Sequence, residues 1–208
     1  MTLKSHKSPA TYFWPPKRSL WIFTAAIVAA LLVIVSISTH HASAEANNCR
    51  NYPSALSNFL PEIPPRAALT YPFYDAQNAA QTIADYKGQG VVLNFWATWC
   101  APCIKEMPDL IHLKELLADE NITVLALSQD RKGAEKVIPF FKQQGLTGLD
   151  VLIDKKGTMA RKSGVRGLPV TILIDAEGLE RGRVNGIAPW DDPEVVDFVR
   201  RCIGPVKN

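Results

Sequence analysis

Cys100-Ala101-Pro102-Cys103 sets two thiols two residues apart, directly after the apolar run 91–97 and at the head of an amphipathic stretch. Where a strand hands over to a helix, such spacing puts one sulfur at the helix N-terminus and the other a turn inward. Free N–H groups and the helix dipole favour a thiolate at Cys100, lowering its pKa so that it attacks a disulfide at neutral pH. Cys103, the less accessible sulfur, resolves the mixed disulfide and leaves an intramolecular bridge. Zinc would need a second Cys or His pair at ligand spacing, but His6, His40 and His41 lie far upstream and only His112 falls near the motif. A purely structural staple at this spacing would close so short a loop that little entropy is removed.

The elements that must position this pair follow from the pattern of the chain. Residues 91–97 and 122–128 read as buried strands, 151–154, 170–175 and 183–186 as shorter ones, and Glu177-Gly178 as the turn of a hairpin between the last two. Residues 101–117 read as a helix with Met107, Leu110, Ile111 and Leu117 on one face and Lys105, Lys114 and Glu115 on the other. A second helix over 133–144 carries Val137, Phe140 and Phe141 and ends at Gly145. A last one, capped by Asp192 and begun by Pro193, presents Val195, Val196 and Val199. Strands alternating with helices make an α/β domain.

The chain has 208 residues, with 23 Lys and Arg against 20 Asp and Glu. Lys4, Lys7, Lys17 and Arg18 precede the uncharged run LWIFTAAIVAALLVIVSIS at residues 20–38, and the remainder carries 19 basic and 20 acidic residues. A body so near neutrality has no footprint for nucleic acid. The apolar run is long enough to span a bilayer, and its N-terminal cations keep residues 1–19 in the cytoplasm and export the rest to the periplasm. Ala42-Ser43-Ala44 also has the form of a signal-peptidase site, so cleavage after Ala44 would release a soluble periplasmic domain. Residues 39–70, with Pro53, Pro61, Pro64 and Pro65, read as a linker, which leaves 71–208 as the folded domain.

The stretch from Val91 to Pro108, VVLNFWATWCAPCIKEMP, resembles the active-site strand and helix of the thioredoxin superfamily, and within it the TlpA/ResA group of membrane-anchored periplasmic reductases. The similarity runs from about Pro72 to Arg200 and implies a thioredoxin-like fold, a central mixed β-sheet flanked by helices, behind an N-terminal transmembrane helix. Arg166-Gly167-Leu168-Pro169-Val170-Thr171 resembles the second hallmark of the superfamily and implies a cis bond at Leu168–Pro169. With no N–H at Pro169, the backbone of Leu168 is left to pair with an extended substrate, beside contacts from Trp99 and Pro102. Thioredoxins of the cytoplasm carry an aspartate where this chain has Asn94, which cannot take a proton. Glu106 matches the acid of the ResA-like Cys-x-x-Cys-x-x-Glu pattern, which implies proton exchange with the resolving thiol. Pro108 is expected to kink the helix.

Leu127-Ser128-Gln129-Asp130-Arg131 and Trp190-Asp191-Asp192-Pro193-Glu194 are most similar to TlpA of α-proteobacterial type. This likeness implies a reductase of periplasmic protein cysteines in cytochrome oxidase or cytochrome c assembly, recharged by a transmembrane thiol donor of CcdA/DsbD type and needing no soluble cofactor. An oxidase or isomerase of the same fold is the alternative within the class, because direction depends on redox potential. A membrane-tethered copper chaperone is the alternative outside it, since copper(I) favours thiolates. A peroxidase would frame a single cysteine with Thr and Pro in an arrangement that Thr98 does not recreate.

Cys49 and Cys202 form the second pair. In an oxidising compartment they are expected to bridge, at about 4–5 kcal/mol of stabilisation for a loop of that length, with free thiols or an intermolecular bond as the other outcomes.

Overall fold

All seven residues of the strand Gly90–Trp96 are buried, as a central strand covered on both faces requires. The computed structural model describes residues 49–205. Within them lie β1 (Phe59–Ala67), β2 (Phe73–Tyr74), β3 (Ala80–Gln81), β4 (Gly90–Trp96), β5 (Ile122–Ser128), β6 (Leu152–Ile153), β7 (Val170–Ile174) and β8 (Leu179–Asn185). The helices are α1 (Ala101–Leu116), α2 (Ala134–Gln144), α3 (Thr158–Lys162) and α4 (Pro193–Ile203), with short 3-10 turns besides. One mixed sheet has the order β1-β8-β7-β4-β5-β6-β2-β3. In it β4 runs parallel to β5 and antiparallel to β7.

Side chains alternate across a strand, and β4 divides its residues accordingly. Val92 and Trp96 join the core formed with Met107, Leu110 and Leu113 of α1, Val137 and Phe141 of α2, and Val195, Phe198 and Val199 of α4. Val91, Leu93 and Phe95 join the opposite core with Leu125, Leu127, Ile172 and Met159. Asn94 falls in the same register as Val92 and Trp96, so a polar side chain enters the core under α1. The helix runs through Pro108, which is exposed.

Strand and helix positions near the active pair follow the sequence reading, and Gly178, at φ +84°, makes the turn between β7 and β8. Residues 39–70 need correction as a linker. From Cys49 onward the described part of that stretch belongs to the domain, because β1 pairs antiparallel with β8, Phe59 opposite Val184 and Leu60 opposite Arg183. Prolines are tolerated in β1 because it is an edge strand, where missing N–H groups need not break a ladder, and the register shifts between Pro61 and Arg66. Phe59 is buried, with its ring 5.1 Å edge-on from that of Phe198. Gly182 is bare to admit it: a Cβ there would lie 2.3 Å from Phe59 Cζ. Cys49 and Cys202 are joined, their Cα atoms 4.7 Å apart, so the start of the domain is tied to α4.

Among the described residues no helix is long and apolar enough to cross a membrane. The predicted tail, the anchor at 20–38 and the Ala44 site lie outside them.

Candidate active site

The chain leaves β4 through Ala97, whose carbonyl accepts from the N–H of Cys100 at 3.0 Å, and enters α1 with Cys100 as N-cap. Pro102 fits the first turn because its missing N–H has no helical acceptor to lose. The Cys103 N–H donates to Cys100 Sγ at 3.3 Å, so the cap is the sulfur itself. The two cysteines are joined in this oxidised form. Cys103 is sealed from solvent while Cys100 keeps 5% of its surface, and Trp99 beside it is 70% exposed. Cys100 is thus the less deeply buried of the two residues, and it sits at the helix end, where the dipole favours a thiolate once the bridge opens.

Glu106 follows Cys103 by three residues on α1, a spacing that puts both on one face. Its side chain is 2% exposed. Oε1 accepts from Asn94 Nδ2 at 2.9 Å, and Oε2 from Trp190 Nε1 at 3.0 Å and the Ala188 N–H at 3.4 Å. Burial pushes the carboxyl up to about 7, against the lowering effect of the Trp190, Asn94 and Ala188 hydrogen bonds, with a small further rise from Asp109. A group that titrates near neutrality inside the core is suited to passing a proton. Asn94 Nδ2 donates also to Thr171 Oγ1 at 2.9 Å, linking the carboxyl to β7 two residues past Pro169.

Leu168–Pro169 is cis. Pro169 is buried at the entry to β7, and its carbonyl accepts from the Gly186 N–H at 2.9 Å. Leu168 packs against the core that contains Cys100 and Cys103. Leu168 and Pro169 line one groove with Arg166 and Gly167, and Trp99 lines a separate one. His112, the histidine nearest the motif, faces Asp191 instead, with Nδ1 3.2 Å from a carboxylate oxygen.

Three contributors escaped the sequence reading. Asn94 was seen only as the absence of an acid, although an amide amid seven buried strand residues signals a polar partner on that face. Trp190 carried a similar signal, since a buried indole N–H usually has an acceptor. Asp130 gave no signal of its role. It is 6% exposed and accepts from the Thr98 N–H at 2.9 Å, Thr98 Oγ1 at 2.7 Å and Ser128 Oγ at 2.9 Å. These bonds hold the turn that delivers Cys100.

Comparison with known proteins bears on the family and the fold. The AhpC/TSA family profile matches residues 62–180. The chain is 33% identical over 120 residues to the thiol-disulfide oxidoreductase ResA of Geobacillus thermodenitrificans, covering 57% of this chain and 67% of that protein. It is 39% identical over 112 residues to ResA of Bacillus thuringiensis subsp. konkukian, covering 54% of this chain and 64% of the relative. The crystal structure of a thioredoxin-family thiol:disulfide interchange protein from Chlorobium tepidum TLS superposes with a TM-score of 0.53. At 23% identity, over 65% of this chain and 96% of that one, it supports the fold alone. Because the profile spans more than half of the chain and the Geobacillus relative is matched over two thirds of its length, the chain belongs to the AhpC/TSA family and is a ResA-like thiol–disulfide oxidoreductase within it.

Proposed function

We propose that the chain works as a reductase facing the periplasm, held by a membrane anchor at residues 20–38, and that it reduces cysteines of proteins being assembled into cytochrome oxidase or cytochrome c. The observation that carries the reductase chemistry is the order along α1: capping Cys100, buried Cys103, then buried Glu106 with its carboxyl near 7. In the dithiol form, the Cys100 thiolate attacks a substrate disulfide; that S–S bond breaks, and one substrate sulfur leaves and takes up a proton. Glu106 accepts the Cys103 proton, and the Cys103 thiolate then attacks Cys100 in the mixed disulfide. The second substrate sulfur leaves as a thiol and the Cys100–Cys103 bridge forms, so two electrons and two protons have passed to the substrate. A transmembrane dithiol donor of CcdA/DsbD type returns the pair to its reduced state. The periplasmic location, donor and client proteins rest on the charge asymmetry around residues 20–38 and on the TlpA/ResA likeness.

Replacing Cys103 with Ser in cells tests this reading. The mixed disulfide then cannot be resolved, so Cys100 should retain its clients, which are expected to include assembly factors of the oxidase. In unmodified cells, thiol trapping should find the pair mainly reduced. A steady state that is fully oxidised would sink the reductase direction in favour of an oxidase.

A further inference from the structure

Beyond the sulfurs, the surface next to Trp99 is unusual in charge. Trp99, Gln129, Arg131, Lys132 and Lys136 line one groove of about 640 Å³ together with Thr98 and Asp130. Arg131, Lys132 and Lys136 are exposed, and none of them forms an ion pair among the described residues. The one carboxylate lining the groove, Asp130, is buried and occupied with Thr98 and Ser128. The N-terminus of α2, whose cap Gly133 brings no side-chain acceptor, adds a partial charge of the same sign, which the exposed Glu135 of its first turn offsets; that carboxylate lines the adjoining groove with Lys155 and Lys156 rather than this one. This concentration is local, because the chain beyond residue 38 carries 19 basic and 20 acidic residues.

The patch is also fixed in place relative to the nucleophile. Asp130 holds Thr98, two residues before Cys100, by two hydrogen bonds, and the Gln129 N–H donates to the Trp96 carbonyl at 2.8 Å. The loop that carries the cations and the turn that carries the nucleophile therefore form one unit, with an exposed indole between them.

We propose that this groove docks an acidic segment of the protein substrate, flanking the cysteine that Cys100 attacks. The proposal rests on the reductase reading and adds the chemistry of the client: carboxylates close in sequence or space to its disulfide. Cations lining a cleft raise the encounter rate of an anionic partner in a salt-dependent way, and Trp99 supplies a flat apolar platform at the point of exchange.

The test uses the full chain, reduced beforehand, and three disulfide peptides identical except that the residues flanking the cysteines are glutamates, glutamines or lysines. At low salt the glutamate peptide should be reduced ~10-fold faster than the glutamine peptide, and the lysine peptide most slowly. High salt should bring the three rates together. In the combined Arg131→Gln, Lys132→Gln, Lys136→Gln variant all three peptides should react at a common rate even at low salt. Equal rates in the unmodified chain, or a preference that survives high salt or the triple substitution, overturn the proposal. So does capture by vesicles of anionic phospholipid without discrimination among the peptides, which would assign the patch to a membrane surface. Equal reduction of all three removes only the acidic-client inference, whereas failure to reduce any of them removes the reductase reading beneath it.

Discussion

The Asn94 amide donates to Glu106 Oε1 at 2.9 Å, and through this contact the strand before Cys100 holds the carboxyl that follows Cys103 on α1. Asn94 keeps its own Oδ1 without a hydrogen-bond partner, an arrangement that costs free energy in a buried site. An aspartate at this position would set a second carboxylate against Glu106, and two such groups cannot both ionise at that distance. The amide instead leaves Glu106 as the one titrating carboxyl of the network.

The pH dependence of stability should report this carboxyl. Burial raises Glu106 from the ordinary 4.5 to about 7, so between those values the folded chain keeps a proton that the unfolded chain releases. The favourable contribution is complete below the unfolded value and is lost as pH rises through the folded one. The loss is about 1.4 kcal/mol per pH unit, or ~3 kcal/mol across the window. Urea unfolding of the oxidised chain from pH 4.5 to 7.5 should show this decline, and Glu106→Gln should flatten it. Equal slopes in both proteins would exclude Glu106 as the source.

Trp190→Phe keeps most of the ring's packing but removes the N–H that donates to Glu106 Oε2. That bond lowers the carboxyl's pKa, so its loss should move the same decline in stability to higher pH. The pH profile of disulfide exchange should shift the same way if Glu106 takes the Cys103 proton. A profile that stays in place while stability moves would separate the carboxyl from the chemistry.

Asp130→Ala should weaken both the fold and the reactive turn. It leaves Thr98 and Ser128 without their shared acceptor, and hydrogen bonds to a charged group contribute roughly 1.5–3 kcal/mol each, not additively. A loss of about 3 kcal/mol in chemical denaturation is expected. The rate of Cys100 alkylation should change too, a readout that packing loss elsewhere in the domain would leave alone.

The Cys49–Cys202 bridge spans 153 residues of sequence, and opening it through Cys49→Ser and Cys202→Ser together should cost on the order of 5 kcal/mol in the chain-entropy model. Exchange at Cys100 under native conditions should persist. Loss of exchange at temperatures where the domain is still folded would contradict a structural role for this bridge.

Gly182→Ala tests the seat of β1. The new methyl would meet the Phe59 ring and, at 2.8 Å, the Leu60 carbonyl, so the edge strand must shift. Overpacking of this kind costs ~1–3 kcal/mol. Hydrogen exchange should show the β1–β8 ladder loosened while β4 and β5 keep their protection.

Residue type and spacing alone placed Cys100 at the handover from strand to helix and Cys103 a turn inward, because backbone N–H groups at a helix start act on whatever side chain caps it. The buried strand β4 and the apolar face of α1 were legible for the same reason: a continuous apolar run and a helical periodicity are both local patterns. The proline-rich stretch was misread, since an edge strand tolerates prolines only by virtue of which neighbour it has, and β8 lies more than a hundred residues away. Likewise the near-neutral Glu106 depends on Asn94 from β4 and Trp190 from the segment before α4, and the basic groove on a loop held against the Cys100 turn by Asp130. Desolvation and through-space hydrogen bonding set those properties, and both come into being only when distant segments pack together.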